Sequence, residues 1–319
     1  MQRSIVSALV AVAILVAAQT SAAVAESWPT KSITLVVPFP AGGSTDGIGR
    51  PIASMLAKEL GQDVIVENRA GAAGNIGAAT VARAAPDGYT LLLATTGPAA
   101  TNKLLYKNLT FDSATDFSPI AMIGLIPQVI TVSPKLPVSD LKQLIAYAKA
   151  NPGKLNIGNS GNGTMAHIAA VSFAREAGIQ ATHVPYKGVA QLISDILGSQ
   201  IEFGFPGFIP TLTQAKVVAV TSSERLKNLP NAPTLKESGY DVVAGTWFGI
   251  LGPAKMPAEI VERINKLVNE YLGSKEGQAL LAGLGMQAIP GSPQDMKAFM
   301  AAELARWEPI VRAGNMKLQ

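Results

Sequence analysis

The segment at residues 38–50, PFPAGGSTDGIGR, constrains the fold more than any other part of this chain. It follows a short β-branched run at residues 33–37, typical of a buried strand, and precedes apolar residues at helical spacing from Ile48 to Leu60. The chain therefore turns from strand to helix at paired glycines. Backbone N–H groups at a helix start lack partners within the helix, so this loop favours a negatively charged group.

A second loop of the same kind, NSGNGT at residues 159–164, again follows a strand-like run and precedes a helical pattern. Paired glycines between a strand and a helix also occur in α/β proteins that bind nothing there, so either loop alone leaves function open. Two such loops, far apart in the sequence, indicate two jaws that hold one ligand.

The amino-terminal residues are typical of a secretory signal peptide. Arg3 precedes an apolar run at residues 5–18, and small residues end at Ala25. We therefore predict that residues 1–25 are a signal peptide, cleaved after Ala25. No later stretch approaches the roughly 18 uninterrupted apolar residues of a membrane span. The mature chain is expected to be exported and soluble.

Composition excludes several classes of chemistry. The sequence contains no cysteine, which excludes disulfides, thiol catalysis, cysteine metal sites and lipoprotein anchoring. The formal net charge is +4, but basic residues are scattered and aromatic residues are few, so nucleic acid is not an expected partner. There are two histidines without a HExxH spacing, and no phosphate-loop or dinucleotide motif. We therefore expect neither a metal site nor a cofactor.

Alternating strands and helices predict an α/β fold with two domains. Residues 33–94 follow the order strand, helix, strand, helix, strand, which favours a mostly parallel sheet with right-handed crossovers. The long apolar stretch at residues 117–133 is interpreted as a crossing into a second domain, and residues 241–251 as the return. We predict a discontinuous first domain of residues 26–125 plus 247–319 and a second domain of residues 126–246.

Several motifs occur in the order seen in one family of receptors. They are PFPAGGSTD, GAAGNIGA, PDGYTLL, SGNGTMAH, VPYKG and LPNAPTLKESGY. With these motifs the mature chain resembles the exported solute receptors of tripartite tricarboxylate transporters, the Bug family. The resemblance implies a two-domain type II periplasmic binding protein fold, with two crossing strands and a small carboxylate closed in the interdomain cleft. It also implies a periplasmic location and integral membrane transporter subunits as partners, and we expect a monomer.

The resemblance places the ligand on the two glycine-rich loops. The matching positions are Phe39, Ala41, Gly42, Gly43, Ser44 and Thr45 on the first loop, and Ser160, Gly161, Asn162, Gly163 and Thr164 on the second. Phe39 is expected to pack on the carbon skeleton of the ligand, and the other residues to offer N–H and hydroxyl donors. Asp46 is expected to favour the helix start, because its charge would repel a carboxylate.

Further side chains are candidates for the cleft. Thr95 and Thr96 end the third strand, at the sheet edge where ligands gather. His167 lies one turn into the helix after the second loop, where it either contacts the ligand or orients the loop through a hydrogen bond. Tyr186 follows a strand of the second domain, although a solvated turn would use the same residue. Trp247, in the return crossing, is expected to be a packed hinge aromatic.

The segment expected to meet the far end of the ligand departs from the family pattern. Residues 201–210 read IEFGFPGFIP, where the family commonly has an acidic, strand-ending pattern. Phe205 and Phe208 in this segment favour an aromatic or otherwise apolar carboxylate, or a dicarboxylate, as the ligand. The alternative is that these aromatic residues simply pack into the second domain.

Two other functions, a serine hydrolase and a receptor for a sensor kinase, are alternatives to be weighed for this sequence. GNSGN at residues 158–162 approaches the G-x-S-x-G element of serine hydrolases but has Asn162 at the last position, and no histidine follows in the usual downstream region. We therefore predict no catalytic residues and no enzyme. A receptor that reports its ligand to a membrane sensor kinase would have the same binding site, and the sequence does not distinguish it from a transport receptor.

Overall fold

The computed structural model describes residues 28–207, 215–313 and 316. The predicted signal peptide and Phe208 lie outside these ranges. The described chain forms two α/β lobes, each built on its own sheet. None of the helices in these ranges combines the length and the apolar composition needed to cross a membrane.

The strands fall into two mixed sheets. In chain order they are β1 (Ile33–Val37), β2 (Val64–Asn68), β3 (Thr90–Thr95), β4 (Phe117–Pro127), β5 (Val129–Val132), β6 (Leu155–Asn159), β7 (Ala181–Pro185), β8 (Phe203–Phe205), β9 (Lys216–Val220), β10 (Gly245–Pro253) and β11 (Gln287–Ala288). The first lobe has the order β11-β4-β10-β3-β1-β2, and the second β7-β6-β8-β5-β9.

Each sheet has a parallel part, as predicted, and an antiparallel part. In the first lobe β1 pairs in parallel with β2 and β3, whereas β10 is antiparallel to β3 and β4. In the second lobe β6 is parallel to β7 and β8, whereas β5 is antiparallel to β8 and β9. In the first sheet β10 enters from the other lobe, and it therefore runs opposite to β4, the strand by which the chain leaves this sheet.

Helices cover both sheets. They are α1 (Ser44–Leu60), α2 (Asn75–Ala82), α3 (Asn102–Leu105), α4 (Leu141–Ala150), α5 (Met165–Ala177), α6 (Val189–Leu197), α7 (Ala258–Gly273), α8 (Lys275–Gly283) and α9 (Pro293–Ala313). A 3₁₀ turn at Ala72–Gly74 precedes α2, and a π-type turn at Gly97–Thr101 precedes α3. Asp140 caps α4, as its sequence position predicts, by accepting a hydrogen bond from Gln143 N–H at 2.8 Å.

The lobes are joined where β4 runs into β5 and where the chain returns along β10. Gln128 separates β4 from β5, and its carbonyl accepts a hydrogen bond from Thr221 N–H at 2.9 Å. Its own N–H donates to Thr221 Oγ1 at 2.9 Å, and Ala244 N–H donates to the Thr221 carbonyl at 2.8 Å. We call Gln128, Thr221 and Ala244 the hinge residues. The predicted domain boundaries, after residues 125 and 246, fall within β4 and β10.

The long carboxyl-terminal helix α9 contacts both lobes. Near its start, Met296 and Met300 pack with the buried side chains on the first sheet. Near its end, Trp307 and Val311 belong to the core of the second lobe, which also contains Phe173. The sequence predicted a return to the first domain alone, but 21 residues make a helix of about 32 Å, long enough to reach both cores.

Candidate ligand-binding site

A cavity of about 340 Å³ lies between the two lobes. From the first lobe and the crossing segments it is lined by Phe39, Pro40, Ala41, Gly42, Gly43, Ser44, Thr45, Ala73, Thr95, Gly97, Ile126, Gln128, Thr246 and Phe248. From the second lobe it is lined by Ser160, Thr164, Met165, Lys187, Gly188, Val189, Ala190, Gln191, Pro206 and Gly207. Within the described chain none of these lining residues is acidic, and Lys187 is the single cation among them. The lining charge therefore favours an anion.

The first glycine-rich loop presents the start of α1 to this cavity. Gly43 precedes the helix in extended conformation, without a side-chain cap. Within the described ranges, the N–H groups of Gly43, Ser44 and Thr45 have no hydrogen-bond acceptor. Gly42 has a φ of 79°, which glycine adopts without strain. The cavity thus receives unpaired amides at the positive end of a helix dipole.

Asp46 holds the first loop from within. Its carboxylate accepts hydrogen bonds from Gly42 N–H at 3.0 Å and from Arg50 Nε at 2.8 Å. Asn68 Nδ2 donates to Asp46 at 3.0 Å and to the carbonyl of Phe39 at 3.1 Å. Burial alone would raise the pKa of Asp46, but the hydrogen bonds from Arg50, Gly42 and Asn68 lower it to about 2. The prediction that the N–H of Gly42 is a ligand donor is therefore corrected. Gly42 lines the cavity, but its N–H is bonded to Asp46.

The second glycine-rich loop uses part of its backbone internally. Thr164 caps α5, since its Oγ1 accepts a hydrogen bond from His167 N–H at 3.4 Å and donates to the Gly161 carbonyl at 2.7 Å. Gly161 N–H donates to Asn159 Oδ1 at 3.0 Å, and Gly163 N–H donates to His167 Nδ1 at 3.2 Å. Neither glycine lines the cavity. The prediction that these two N–H groups are ligand donors is therefore corrected.

Other groups of the second loop do reach the cavity. Ser160, Thr164 and Met165 line it, and Ser160 Oγ lies 3.4 Å from Thr164 Oγ1. Asn162 does not line it, and its carbonyl accepts a hydrogen bond from Tyr106 at 3.4 Å. Within the described chain the N–H of Met165 has no acceptor, so the start of α5 still offers a free donor to the cavity.

His167 lies beneath the second loop and does not line the cavity. The residue is 9% exposed, and its ring packs edge-on against His183, with 6.1 Å between the ring centroids. Burial, with a smaller contribution from the charge of His183, lowers the pKa of His167 to about 4. The imidazole is therefore neutral near pH 7, and its Nδ1 accepts the hydrogen bond from Gly163. Of the two roles predicted for His167, the structure supports the one that orients the loop.

A third helix start also opens into the cavity. Gly188 precedes α6 without a side-chain cap, and it lines the cavity with the first residues of the helix, Val189 to Gln191. Within the described ranges the N–H groups of these four residues have no acceptor. Lys187, beside them, is exposed and adds a positive charge at the rim. The sequence could have signalled this site, because Gly188 again lies between a strand and a helix.

Thr95 and Thr96 differ in position although they are neighbours. Thr95 lines the cavity, as predicted. Thr96 is buried away from it, and its Oγ1 accepts a hydrogen bond from Trp247 N–H at 3.0 Å. Trp247 is itself buried and packs edge-on against Phe299, with 5.6 Å between the ring centroids. Trp247 is therefore a packed aromatic of the crossing strand, as predicted, and Thr96 fixes that strand to β3.

Tyr186 and Phe205, both predicted site residues, lie outside the cavity lining. Tyr186 packs beside Leu192, and burial and its hydrogen bond to Asp195 raise its pKa to about 12. Phe205 is fully buried against Phe173, with 5.9 Å between the ring centroids. The structure therefore favours the alternative for Phe205, namely packing into the second lobe, because β8 places it in the core.

Sequence patterns missed the part of the lining that comes from the crossing segments. Gln128 and Thr246 line the back of the cavity, together with Ile126 and Phe248. A signal for Gln128 was present, since it is the one polar residue in the run LIPQVI. Pro206 and Gly207, which follow β8, also line the cavity, although Phe205 before them does not.

The described residues give no arrangement for hydrolysis or metal binding. Ser160 Oγ is within hydrogen-bond distance of Thr164 Oγ1, and His167 Nδ1 is bonded to Gly163 N–H, so these side chains do not form a nucleophile and base pair. Groups of three or more His, Cys, Asp or Glu side chains close enough to hold a metal do not occur in the described ranges.

A ligand-sized cavity between two α/β lobes, joined by two crossing strands and entered by helix starts, defines a solute-binding protein. The comparisons with known proteins identify the family. The family model for the tripartite tricarboxylate transporter receptors matches residues 48–316, and the chain belongs to this family, as its motifs predicted. Receptors of this family are periplasmic and work with the membrane components of tripartite transporters.

Three similar proteins match along most of the chain. Protein BugT of Bordetella pertussis is 34% identical over 302 residues, which cover 92% of this chain and 93% of BugT. R. palustris Rpa4515, in its structure with adipate, is 36% identical to this chain, with a TM-score of 0.86. The match covers 91% of this chain and 100% of the Rpa4515 chain. MatC (Rpa3494) from Rhodopseudomonas palustris, in its structure with bound malate, is 28% identical to this chain, with a TM-score of 0.83. The match covers 89% of this chain and 100% of the MatC chain.

Proposed function

We propose that this chain is a periplasmic receptor that captures a small organic carboxylate between its lobes and delivers it to the membrane subunits of a tripartite transporter. One observation carries the proposal. The starts of α1, α5 and α6 converge on a cavity whose lining, in the described chain, includes no acidic residue. Unpaired N–H groups and helix dipoles at such positions stabilise an anion.

The available donors are sufficient for useful affinity. Each hydrogen bond to a carboxylate contributes about 1.5 to 3 kcal/mol, and a micromolar complex needs about 8 kcal/mol. Four or five such bonds give about 6 to 15 kcal/mol, a range that includes this value, before desolvation and ordering of the lobes are subtracted. Since the donors lie on both lobes, full affinity requires closure around the ligand.

The ligand residues that we propose follow from this arrangement. On the first lobe, the N–H groups of Gly43, Ser44 and Thr45 receive the carboxylate, and Phe39 packs on the carbon skeleton. On the second lobe, Ser160, Thr164 and Met165 meet the same group as the lobes close, and the start of α6 adds further N–H donors.

The size of the ligand is set by the cavity and its apolar walls. About 340 Å³, with Phe39, Ile126, Met165 and Phe248 in the lining, suits an acid of a few carbon atoms. Two similar structures hold adipate and malate, so we propose acids of that size. The preference for an aromatic acid loses its support at Phe205 and stays an untested prediction, as do cleavage after Ala25 and the monomeric state.

The test is calorimetric titration of the mature protein with malate and adipate, compared with a Gly43→Val variant. The φ of Gly43 is −81°, which valine adopts readily, so the added side chain crowds the amide donors without straining the loop. We expect affinity to fall roughly 10- to 100-fold, equivalent to the loss of about one charge-assisted bond. Gly273→Val, at the end of α7 where an added Cβ meets nothing within 4 Å, is the matched control.

Two results would contradict the proposal in different ways. Unchanged affinity in Gly43→Val, with binding intact, would remove the first loop from the site. A wild-type protein that binds none of a panel of small carboxylates would reject the function itself.

A further inference from the structure

The side chain of Gln128 lies at the back of the cavity with one atom unpaired. It is 2% exposed, and its Nε2 donates to Thr246 Oγ1 at 3.1 Å. Its Oε1 is buried and has no hydrogen-bond partner among the described residues. A buried acceptor without a partner costs free energy, so a ligand that donates to this oxygen gains more than it would at an exposed site.

This acceptor differs from the other polar groups of the cavity. The starts of α1, α5 and α6 offer N–H donors, which suit a carboxylate. The amide oxygen of Gln128 suits a donor instead, and an ionised carboxylate has none to give. The cavity therefore matches an anion in one place and a hydrogen-bond donor in another.

A hydroxyl group is the donor that fits this environment. An ammonium group beside Gln128 would be buried, and in the described chain no acidic side chain lines the cavity to balance its charge. A second carboxylate would place its lone pairs against those of Gln128 Oε1. A hydroxyl is neutral, donates one hydrogen bond, and costs little to bury once it is paired.

The position of Gln128 also connects this contact to lobe closure. Its main-chain N–H and carbonyl are bonded to Thr221, which in turn is bonded to Ala244 on the return segment. Gln128 lines the cavity, and its main chain belongs to the hinge. A ligand that donates to Oε1 therefore contacts the segment about which the lobes move.

We propose that Gln128 determines specificity by selecting hydroxy acids, small carboxylates whose hydroxyl group donates to its Oε1. This rests on the proposed function, since the carboxylate must occupy the helix starts while the hydroxyl reaches Gln128. The ligand class is thereby narrowed from any small organic acid to one that carries a hydroxyl on its carbon skeleton.

The experiment compares acids that differ by one hydroxyl group. Calorimetric titrations use malate with succinate, 3-hydroxybutyrate with butyrate, and 4-hydroxybenzoate with benzoate, because the three pairs place the hydroxyl at different distances from the carboxylate. We expect the hydroxy acid to bind about tenfold or more tightly in at least one pair. Each titration is repeated with Gln128→Met and Gln128→Glu.

The two variants separate specificity from structure. Met has a similar length but no amide oxygen, so the ratio of the two affinities should fall to about one. Glu keeps an acceptor oxygen, so the ratio should persist while both acids bind more weakly through repulsion. The hinge bonds use only the main chain of Gln128, and thermal unfolding checks that both variants fold. Ser172→Ala removes a buried hydroxyl outside the cavity lining and should leave the ratio unchanged.

The possible failures are distinct. Suppose that the acids bind and that Gly43→Val weakens their binding. If the two acids of every pair then bind with equal affinity, or if Gln128→Met keeps the preference for the hydroxy acid, this inference is overturned and the proposed function stands. Tighter binding of the acid without the hydroxyl group in all three pairs would overturn it as well. If no acid binds at all, both are rejected.

Discussion

Single side chains fix the two glycine-rich loops in place from behind. Asp46 bonds the N–H of Gly42 on the first loop, and His167 Nδ1 bonds the N–H of Gly163 on the second. Each side chain accepts a hydrogen bond from an N–H group that could otherwise bind the ligand, and each leaves the N–H groups at the helix starts free. The glycine-rich loops therefore owe their shape to residues that the cavity does not expose.

The lowered pKa of His167 predicts a loss of stability in mild acid. The folded-state pKa is about 4, and the value in the unfolded chain is about 6.5, so between these values the unfolded state binds more protons. Stability should be full above pH 6.5 and decrease as the pH falls toward 4, by about 3 kcal/mol from this residue. The measurement is urea unfolding at pH 7.0 and pH 4.5.

His167→Gln provides the comparison for this pH effect. The glutamine oxygen can still accept a hydrogen bond from Gly163 N–H, but it does not titrate. The variant should therefore lose less stability than the wild type between the two pH values. An equal loss would show that His167 is not the source. Asp46 does not confound the comparison. Its pKa is about 2, so protonation of its carboxylate lowers stability only below about pH 4.

At the scale of elements, the site is built from junctions at which a strand is followed by a short loop and then by a helix. Three of these junctions, before α1, α5 and α6, line the cavity. Only the second has a side-chain cap, from Thr164. The starts of α1 and α6 therefore present uncapped N–H groups to the cavity, whereas Asp140 and Ser274 cap helices elsewhere.

Thr164→Ala should lower both stability and affinity. The change removes the cap of α5 and the hydrogen bond to the Gly161 carbonyl, so we expect a loss of about 1 kcal/mol in the free energy of unfolding. Affinity for a small carboxylate should fall as the second loop loosens. Denaturant unfolding and calorimetric titration measure the two effects.

Ser274→Ala is the matched control for this prediction. Ser274 caps α8 through a hydrogen bond from Gly277 N–H at 3.1 Å, and it does not line the cavity. It should cost a similar amount of stability and leave affinity unchanged. Equal affinity in both variants would mean that the second loop does not depend on its cap.

The sequence predicted most elements and missed those without a clear pattern. Repeating apolar positions were enough for the strands and for long helices such as α1 and α5. The two-residue strand β11 is too short to show any period. Gly97 and Pro98 resemble a turn, yet they begin a continuous helical segment that ends at Leu105.

The site was predictable as two loops but not as a set of donors. Glycine content located residues 38–46 and 159–164 because small residues leave the backbone accessible. Which N–H groups remain free depends on where the side chains of Asp46, Asn159 and His167 fold back, and one-dimensional patterns do not carry that information. Gln128 was missed because its position becomes meaningful only when two crossing strands meet.

For the whole molecule, the important feature is the set of hydrogen bonds among the hinge residues. Thr221 bonds Gln128 on one crossing segment, and its Oγ1 also donates to the carbonyl of Ala244 on the other. One hydroxyl group therefore bonds both of the segments that connect the lobes. The helix α9 adds a second connection, since it packs against both cores.

Thr221→Val should weaken this connection while keeping the shape of the side chain. The buried main-chain groups of Gln128 and Ala244 would lose a partner, so the free energy of unfolding should fall by about 1 to 3 kcal/mol. Small-angle scattering with and without saturating malate would report whether the variant still closes. Wild-type stability in this variant would mean that the hinge does not rely on the hydroxyl.

The scarcity of charged side chains around the cavity has a consequence for the conditions under which capture works. Attraction between exposed charges decays over a Debye length of about 8 Å at physiological ionic strength and less in brine. Main-chain amides at the bottom of a closed cleft are largely shielded from dissolved ions, and Lys187 at the rim is the exception among the described lining residues. Uptake that begins with such a protein should therefore be largely insensitive to changes in external salinity.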